Sequence, residues 1–265
     1  MQDNQINEIE FTQTYNIYGN SKYKAFSENF LLMEGNQVKL KPFAISTTLI
    51  TQDLYKKIMG DDINTNFSPS YFKNMSNNPI ESISWYDALF FCNKLTRLYM
   101  SKDETVYKLK EIIRDKKTKA ILKAHVEKDF EKKGYRLPFE IEWEYAARGG
   151  TNHSIELWSG SSRSRSTLKK AARWDPNLDM VGWYLYNSNF STHPINEKLS
   201  NSNGCFDMSG NVWEWCWDEY EKGAYRIIKG GSWSYFACGA AISERFFAFP
   251  SCQHSDIGLR VCRSL

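Results

Sequence analysis

The stretch from Gly204 to Ser232 begins Gly204-Cys-Phe-Asp-Met-Ser-Gly-Asn-Val-Trp-Glu-Trp-Cys-Trp-Asp-Glu-Tyr220 and closes on Arg226-Ile-Ile-Lys-Gly-Gly-Ser232. Trp213, Trp215 and Trp217 alternate with Glu214, Cys216 and Asp218, the spacing of a strand. Three indoles on one strand face need a large apolar partner surface; taken alone, they read as a structural core without chemistry. Upstream, Gly210-Asn211 predicts a turn with the Asp207 carboxylate at its entrance. Residues 219–224 read as a hairpin connection and 225–229 as the return strand. Gly230-Gly231 ends that strand, where missing side chains let backbone approach backbone.

The composition limits the functions open to this chain. Its 265 residues include nine tryptophans and 15% aromatics, which argues against disorder and allows one large domain or two smaller ones. A formal net charge of +3 is too small to imply a nucleic-acid partner. No apolar run reaches the roughly 18 residues of a membrane span. Residues 1–8 are polar and acidic and lack the basic start and apolar stretch of an export signal, although a mature chain would look the same. Cysteines at 92, 205, 216, 238, 252 and 262 form no C-x-x-C doublet, and half lie in apolar surroundings. No disulfide framework is inferred, and the redox compartment stays open.

Along the chain, Glu34-Gly35-Asn36 predicts a turn, and Val38 to Ile45 alternates and then reads as strand. Thr51 is an N-cap for a helix over 52–59 with Gly60 as its stop, followed by an Asn-, Ser- and Pro-rich loop over 61–79. Ser84-Trp-Tyr-Asp87 is a capping box, and Ala88, Phe91, Cys92, Leu95 and Leu98 form the apolar stripe of the helix that follows. Val106 to Leu109 predicts a short strand. The basic stretch from Lys108 to Lys133 reads as an exposed helix, a solvated surface insertion without the interleaved aromatics of a nucleic-acid site. A third helix is expected from about Phe139 to Arg148, then a long loop over 151–203 pinned by Trp158, Trp174, Trp183, Tyr184 and Tyr186, and a last strand over 256–262. No internal repeat is visible.

The fragments Gly134-Tyr-Arg-Leu-Pro138, Glu142-Trp-Glu-Tyr-Ala-Ala-Arg-Gly-Gly150, Cys205-Phe-Asp-Met-Ser-Gly-Asn-Val-Trp-Glu-Trp215, Lys229-Gly-Gly-Ser-Trp233 and Gly258-Leu-Arg-Val261 resemble the formylglycine-generating enzyme (sulfatase-modifying factor) family. Residues 38–55 and 79–92 match it as well. The resemblance implies an α+β variant of the C-type lectin fold, with small twisted antiparallel sheets, a few helices and extensive ordered loop. It implies an N-terminal extension over 1–29 and one domain over 30–265, with a Lys-rich insertion at 110–133.

Enzymes of that family oxidise a substrate cysteine with a copper-binding cysteine pair. The matching positions here are Tyr235 and Ala240, neither of which can be a thiolate or a metal ligand, so the chain is expected not to be an enzyme and to have no catalytic residues. The sulfoxide-synthase branch needs a histidine-rich iron-binding domain, and four scattered histidines do not supply one. An alternative reading keeps a copper-dependent formylglycine-generating-type oxidase, with Cys238 and Cys252 forming the copper site after a shift in register. A third is a plain lectin-like structural domain.

The segment from Gly230 to Arg260 resembles the C-terminal variable region of diversity-generating retroelement proteins, in which reverse transcription mutates template adenines. The framework would be Trp233, Ala237, Arg245, Pro250 and Ile257-Gly-Leu-Arg260. Within a variable ligand-binding region at 233–256, the diversified positions would come from Ser234, Tyr235, Phe236, Gly239, Glu244, Phe246, Phe247, Ala248, Phe249, Cys252, Gln253, His254 and Ser255. The residues point the same way: neighbours in the extended run Phe246-Phe247-Ala248-Phe249 face oppositely, so some aromatic surface is expected to be exposed. Rigid aromatics beside Ser, Gln and His suit a protein or peptide ligand. The same resemblance implies a monomer at the cell surface or outer membrane, with a lipid anchor on an N-terminal part not in this chain.

Carried over residue by residue, the family's calcium site would use the side chains of Asp207 and Glu214 and the carbonyls of Gly210 and Val212, hard oxygen ligands suited to structural Ca2+. Asp207 bonding only its own turn is the other reading of that residue. Phe139 stands where the family usually has Thr, so the third helix loses an N-cap hydroxyl worth about 1 kcal/mol.

Overall fold

The computed structural model describes residues 6–12, 15–18, 31–33, 37–60, 68–149, 158–160, 173–221 and 223–265; the turn expected at 34–36 and residues 61–67 of the expected 61–79 loop lie outside them. The first strands are β1 (Glu8–Phe11), β2 (Tyr15–Tyr18), β3 (Leu31–Met33), β4 (Gln37–Leu40) and β5 (Phe43–Ser46), followed by helices α1 (Gln52–Met59) and α2 (Trp85–Tyr99). Then come β6 (Tyr107–Arg114), β7 (Ile121–Lys128), β8 (Tyr135–Arg136), α3 (Glu140–Ala147) and α4 (Pro176–Val181). The chain ends with β9 (Trp213–Tyr220), β10 (Tyr225–Lys229), β11 (Phe246–Ala248), β12 (Ile257–Gly258) and β13 (Cys262–Ser264).

The tryptophan strand β9 lies inside a four-stranded sheet of order β11-β10-β9-β12, antiparallel except for the β9–β12 pair. Trp213 and Trp215 are buried on the face covered by α2, where Trp85 and Tyr107 close over the half-buried Trp217. The indoles are also bonded: Trp215 Nε1 donates to the Ile83 carbonyl at 3.1 Å, and Trp85 Nε1 to that of Cys216 at 2.9 Å. Glu214, Cys216 and Asp218 take the opposite face, and they too are buried, beside α3. A strand covered on both sides anchors the molecule.

A second sheet, β1-β5-β13-β8, brings the two ends of the chain together, since β5 pairs antiparallel with both β1 and β13. A small sheet, β2-β4-β3, and the β6–β7 hairpin complete the strands. Where the sequence reads as one strand from Val38 to Ile45, the chain forms β4 and β5, interrupted at Lys41-Pro42 because proline has no N–H to donate to a ladder.

The helix signals operate as read. Thr51 accepts from the Leu54 N–H, and the Ser84 and Asp87 capping box forms with both bonds present. At α3 the Phe139 N-cap offers no side-chain acceptor, and the Glu142 carboxylate accepts from the Phe139 N–H at 2.9 Å. Leu98 departs from its expected stripe and is 59% exposed, because the packed face of α2 ends at Thr96, whose hydroxyl turns back to the Cys92 carbonyl.

The Lys-rich stretch is not a helix. It folds as the β6–β7 hairpin, with Leu109 opposite Val126 and Lys110 opposite His125. Isoleucines and Val126 favour extended chain, and the Asp115 carboxylate closes the turn by accepting from the Lys117 and Thr118 N–H groups. Ile121 docks on the α2 cap, its N–H bonding Asp87 and its carbonyl accepting from the Ser84 hydroxyl. Of the long loop expected over 151–203, residues 151–157 and 161–172 lie outside the described residues, and the described part contains α4, capped by Asp175 and started by Pro176.

Candidate ligand-binding face

The segment 233–256 leaves the Gly230-Gly231 bend, forms the edge strand β11 and returns to β12. Gly230 and Gly231 both have positive φ, and a Cβ at Gly231 would lie 2.6 Å from the Ala240 Cα. The two limbs of the segment are tied together. Asp256 accepts from the Ser232 hydroxyl at 2.9 Å and the Ser234 hydroxyl at 2.6 Å, its other oxygen meets His254 Nδ1, and Trp233 Nε1 donates to the Ser255 carbonyl at 3.0 Å.

Residues expected as framework are fastened to the body of the protein. Trp233 N–H donates to the Asn211 carbonyl, buried Ala237 accepts from Trp158 Nε1, and Arg245 pairs with buried Glu140 at 2.9 Å. The Pro250 carbonyl accepts from the Trp85 N–H at the start of α2. Arg260 is fully buried and forms a two-bond pair with Glu214 at 2.9 and 3.0 Å.

The expected diversified positions sit differently. Extended geometry in β11 turns Phe246 toward Trp213, with ring centroids 4.7 Å apart, while Phe247 stacks on Tyr220 at 4.2 Å and Phe249 lies against Tyr225 at 4.5 Å. The aromatics therefore form two groups rather than one. The first holds Tyr235, Phe246 and half-exposed Phe236, flanked by Tyr186 and by the Arg173 guanidinium. The second holds Phe247 and Phe249, 43% and 57% exposed. Glu244 and His254 are exposed, Ser234, Ala248, Cys252, Gln253 and Ser255 are half-buried, and Gly239 is buried under the Tyr235 ring. Sequence reasoning did not assign Tyr186, Tyr220, Tyr225 and Arg173 to the face: Tyr186 and Arg173 lie far from the segment in the chain, and Tyr220 and Tyr225, in the neighbouring hairpin, meet it only through the pairing of β11 with β10. Asp256, which clamps the segment, stood in the expected final strand and was not read as its anchor.

The six cysteines are free thiols. Burial pushes the Cys238 and Cys252 thiols up, the opposite of what a reactive thiolate needs. Among the described residues, no group of three His, Cys, Asp or Glu side chains converges as a metal site. The expected calcium ligands are also engaged elsewhere. Both Glu214 oxygens accept from Arg260, and one also accepts from Trp143 Nε1 at 2.6 Å; Asp207 accepts from the Asn196 N–H and from Asn211. Gly210 and Val212 stay in the adjoining turn, but the Arg260 guanidinium supplies the positive charge beside Glu214, so the carboxylate pair does not fit calcium. Burial raises the Asp207 carboxyl.

A small α+β body with short antiparallel sheets, a tryptophan strand and a looped C-terminal face on a buried frame defines the C-type lectin fold of the formylglycine-generating type. The chain belongs to the family of the sulfatase-modifying factor enzyme 1-like domain, whose model matches residues 14–265. It is 30% identical over 275 aligned residues to the chaperone protein LppX of Paenibacillus barcinonensis, covering 90% of each chain. The formylglycine-generating enzyme of Streptomyces coelicolor is 32% identical over 150 residues, which span 48% of this chain and 46% of that enzyme. Among solved structures, Treponema denticola variable protein 1 superimposes with a TM-score of 0.72 at 28% identity, covering 98% of this chain and 95% of that one.

Proposed function

We propose that this chain is a non-enzymatic binding protein whose face at 233–256 is diversified by a retroelement and takes a protein or peptide ligand. The observation that carries this reading is a division within one short segment. Trp233, Ala237, Arg245, Pro250 and Arg260 are bonded into the frame, whereas Phe236, Phe247 and Phe249 hold large apolar surface open to solvent. A frame that does not depend on the exposed side chains tolerates their exchange, and exposed aromatics are effective anchors for protein partners. Similarity to a Treponema variable protein supports the same reading, as do Tyr235 and Ala240 at the positions of the family's cysteine pair. The domain, which takes in β1 through its pairing with β5 as well as residues 30–265 and the Lys-rich insertion, would be displayed at the cell surface or outer membrane as a monomer. No helix among the described residues is long and apolar enough to cross a membrane; attachment by a lipid anchor is part of the proposal.

The flanking DNA tests diversification. The expected finding is a reverse-transcriptase gene beside a near-copy of the 3′ end of this gene, differing only opposite template adenines. A locus with neither overturns diversification and leaves a fixed lectin-like domain.

A further inference from the structure

The β6–β7 hairpin holds the largest concentration of charge in the chain. Between Lys108 and Lys133, ten Lys or Arg stand against five Asp or Glu, whereas the whole chain has 34 against 31. The rest of the molecule is therefore slightly acidic. The acidic residues of this stretch are largely occupied: Glu127 by Lys108 and Lys110, Glu131 by Lys41, and Asp115 by its own turn. Hydrogen bonds within that turn hold the Asp115 carboxyl below its ordinary range. Lys116, Lys117 and Lys119 are exposed and form no ion pair with a described residue.

The hairpin turn is also fixed in position. Ser84 and Trp85 are consecutive residues at the start of α2. The Ser84 hydroxyl donates to the Ile121 carbonyl at 2.7 Å, directly after the lysine turn, and the Trp85 N–H donates to the Pro250 carbonyl at 3.0 Å, inside the binding segment. The next bond in the same direction runs from the Ser82 N–H to the His254 carbonyl. One short stretch of frame thus holds the basic turn beside the 249–254 limb of the face. The Arg114 guanidinium, which stacks on Phe90, lies opposite Ile121 in the hairpin.

We propose that the ligands of this face are acidic proteins or peptides, and that Lys116, Lys117 and Lys119 supply constant complementary charge while the diversified side chains supply specificity. The inference rests on the binding reading above. Fixed charge beside a changing apolar patch raises encounter rates for acidic partners and disfavours basic ones, whatever residues stand at the diversified positions. A nucleic-acid partner is disfavoured because no exposed aromatic interleaves with these lysines.

The test uses a random dodecapeptide library displayed on phage and selected on the full chain and on its K116E/K117E variant. Both substitutions lie on an exposed turn, and equal melting temperatures would verify that the variant folds. The expected result is an excess of Asp and Glu in peptides recovered on the native chain, absent on the variant. A recovered acidic peptide should bind the variant about ten-fold more weakly, with a smaller salt dependence. It should also weaken on Phe249→Ser. Neutral peptides that bind both chains equally and depend on Phe249 would overturn the acidic preference and leave the binding reading standing. Acidic peptides indifferent to Phe249→Ser, or lysine-dependent binding to phosphatidylglycerol vesicles in place of peptides, would assign the turn to another surface and overturn it. Recovery of no peptide on either chain counts against the binding reading and this proposal with it.

Discussion

The ring of Tyr235 fills the space that a side chain at position 239 would need: a Cβ on Gly239 would lie 2.2 Å from Tyr235 Cδ1. Gly239→Ala alone is therefore expected to displace the ring and destabilise by about 1–3 kcal/mol, the usual range for overpacking. In a Tyr235→Ser background the same change should cost much less. A urea-unfolding double-mutant cycle measures the coupling, and additive effects would disprove the contact. If both positions are diversified, variants with a side chain at 239 should seldom carry an aromatic at 235.

Frame and face should differ sharply in tolerance. Phe249→Ser removes a largely exposed ring and should cost no more than about 1 kcal/mol. Arg260→Met leaves Glu214 charged and fully buried without its guanidinium, and should cost about 3–5 kcal/mol. Chemical denaturation of the two variants decides the matter. Similar losses would mean that the exposed phenylalanines belong to the frame.

Asp218 gives the fold a pH dependence. Burial, reinforced by the Glu140 carboxylate nearby, pushes its carboxyl up to about 7, and the group accepts a bond from the Glu140 N–H. A folded value above the unfolded one means that the folded chain holds the proton more tightly. This contribution is complete below the ordinary carboxylate range and is lost as pH rises through about 7. Asp218→Asn keeps an acceptor for the Glu140 N–H and removes the ionisation. Its melting temperature, relative to the native chain, is expected to rise between pH 5 and pH 8, by an amount worth about 1 kcal/mol or more. A constant difference across that range would show that Asp218 does not titrate there.

Cys238 and Cys252 should be sluggish nucleophiles, since burial favours their protonated forms. Iodoacetamide is expected to alkylate both more slowly than free cysteine at neutral pH, with rates rising only at higher pH. Faster labelling, or one copper ion bound per chain and lost on Cys238→Ala, would restore the oxidase reading.

Lys229 is buried between two carboxylates, Glu140 at 3.7 Å and Glu144 at 3.5 Å, and its ammonium also donates to the Glu244 backbone carbonyl at 2.6 Å. Lys229→Met should destabilise by about 3–5 kcal/mol, because Glu140 is left buried with less positive charge around it. Thermal unfolding at neutral pH measures this. A neutral outcome would mean that Arg245 alone balances Glu140.

What the sequence determined by itself was mostly local or periodic. Alternation in β9 made it a strand, Ser84 and Asp87 started α2, Thr51 started α1, and paired glycines marked the bend before the face. Motif order along the chain was enough to identify the family. Tertiary structure decided the rest. Lysine counts alone read as a solvated helix, and only cross-strand pairing with the docking of Ile121 on α2 made that stretch a hairpin. Asp207 and Glu214 looked like calcium ligands until Arg260, 46 positions from Glu214, took up the Glu214 carboxylate. The run of phenylalanines promised exposed aromatic surface, but which ring meets Trp213 and which meets Tyr220 depends on β11 pairing with β10. Caps and alternation are set by neighbours a few residues away, whereas charge partners and sheet faces are set by residues that only folding brings together.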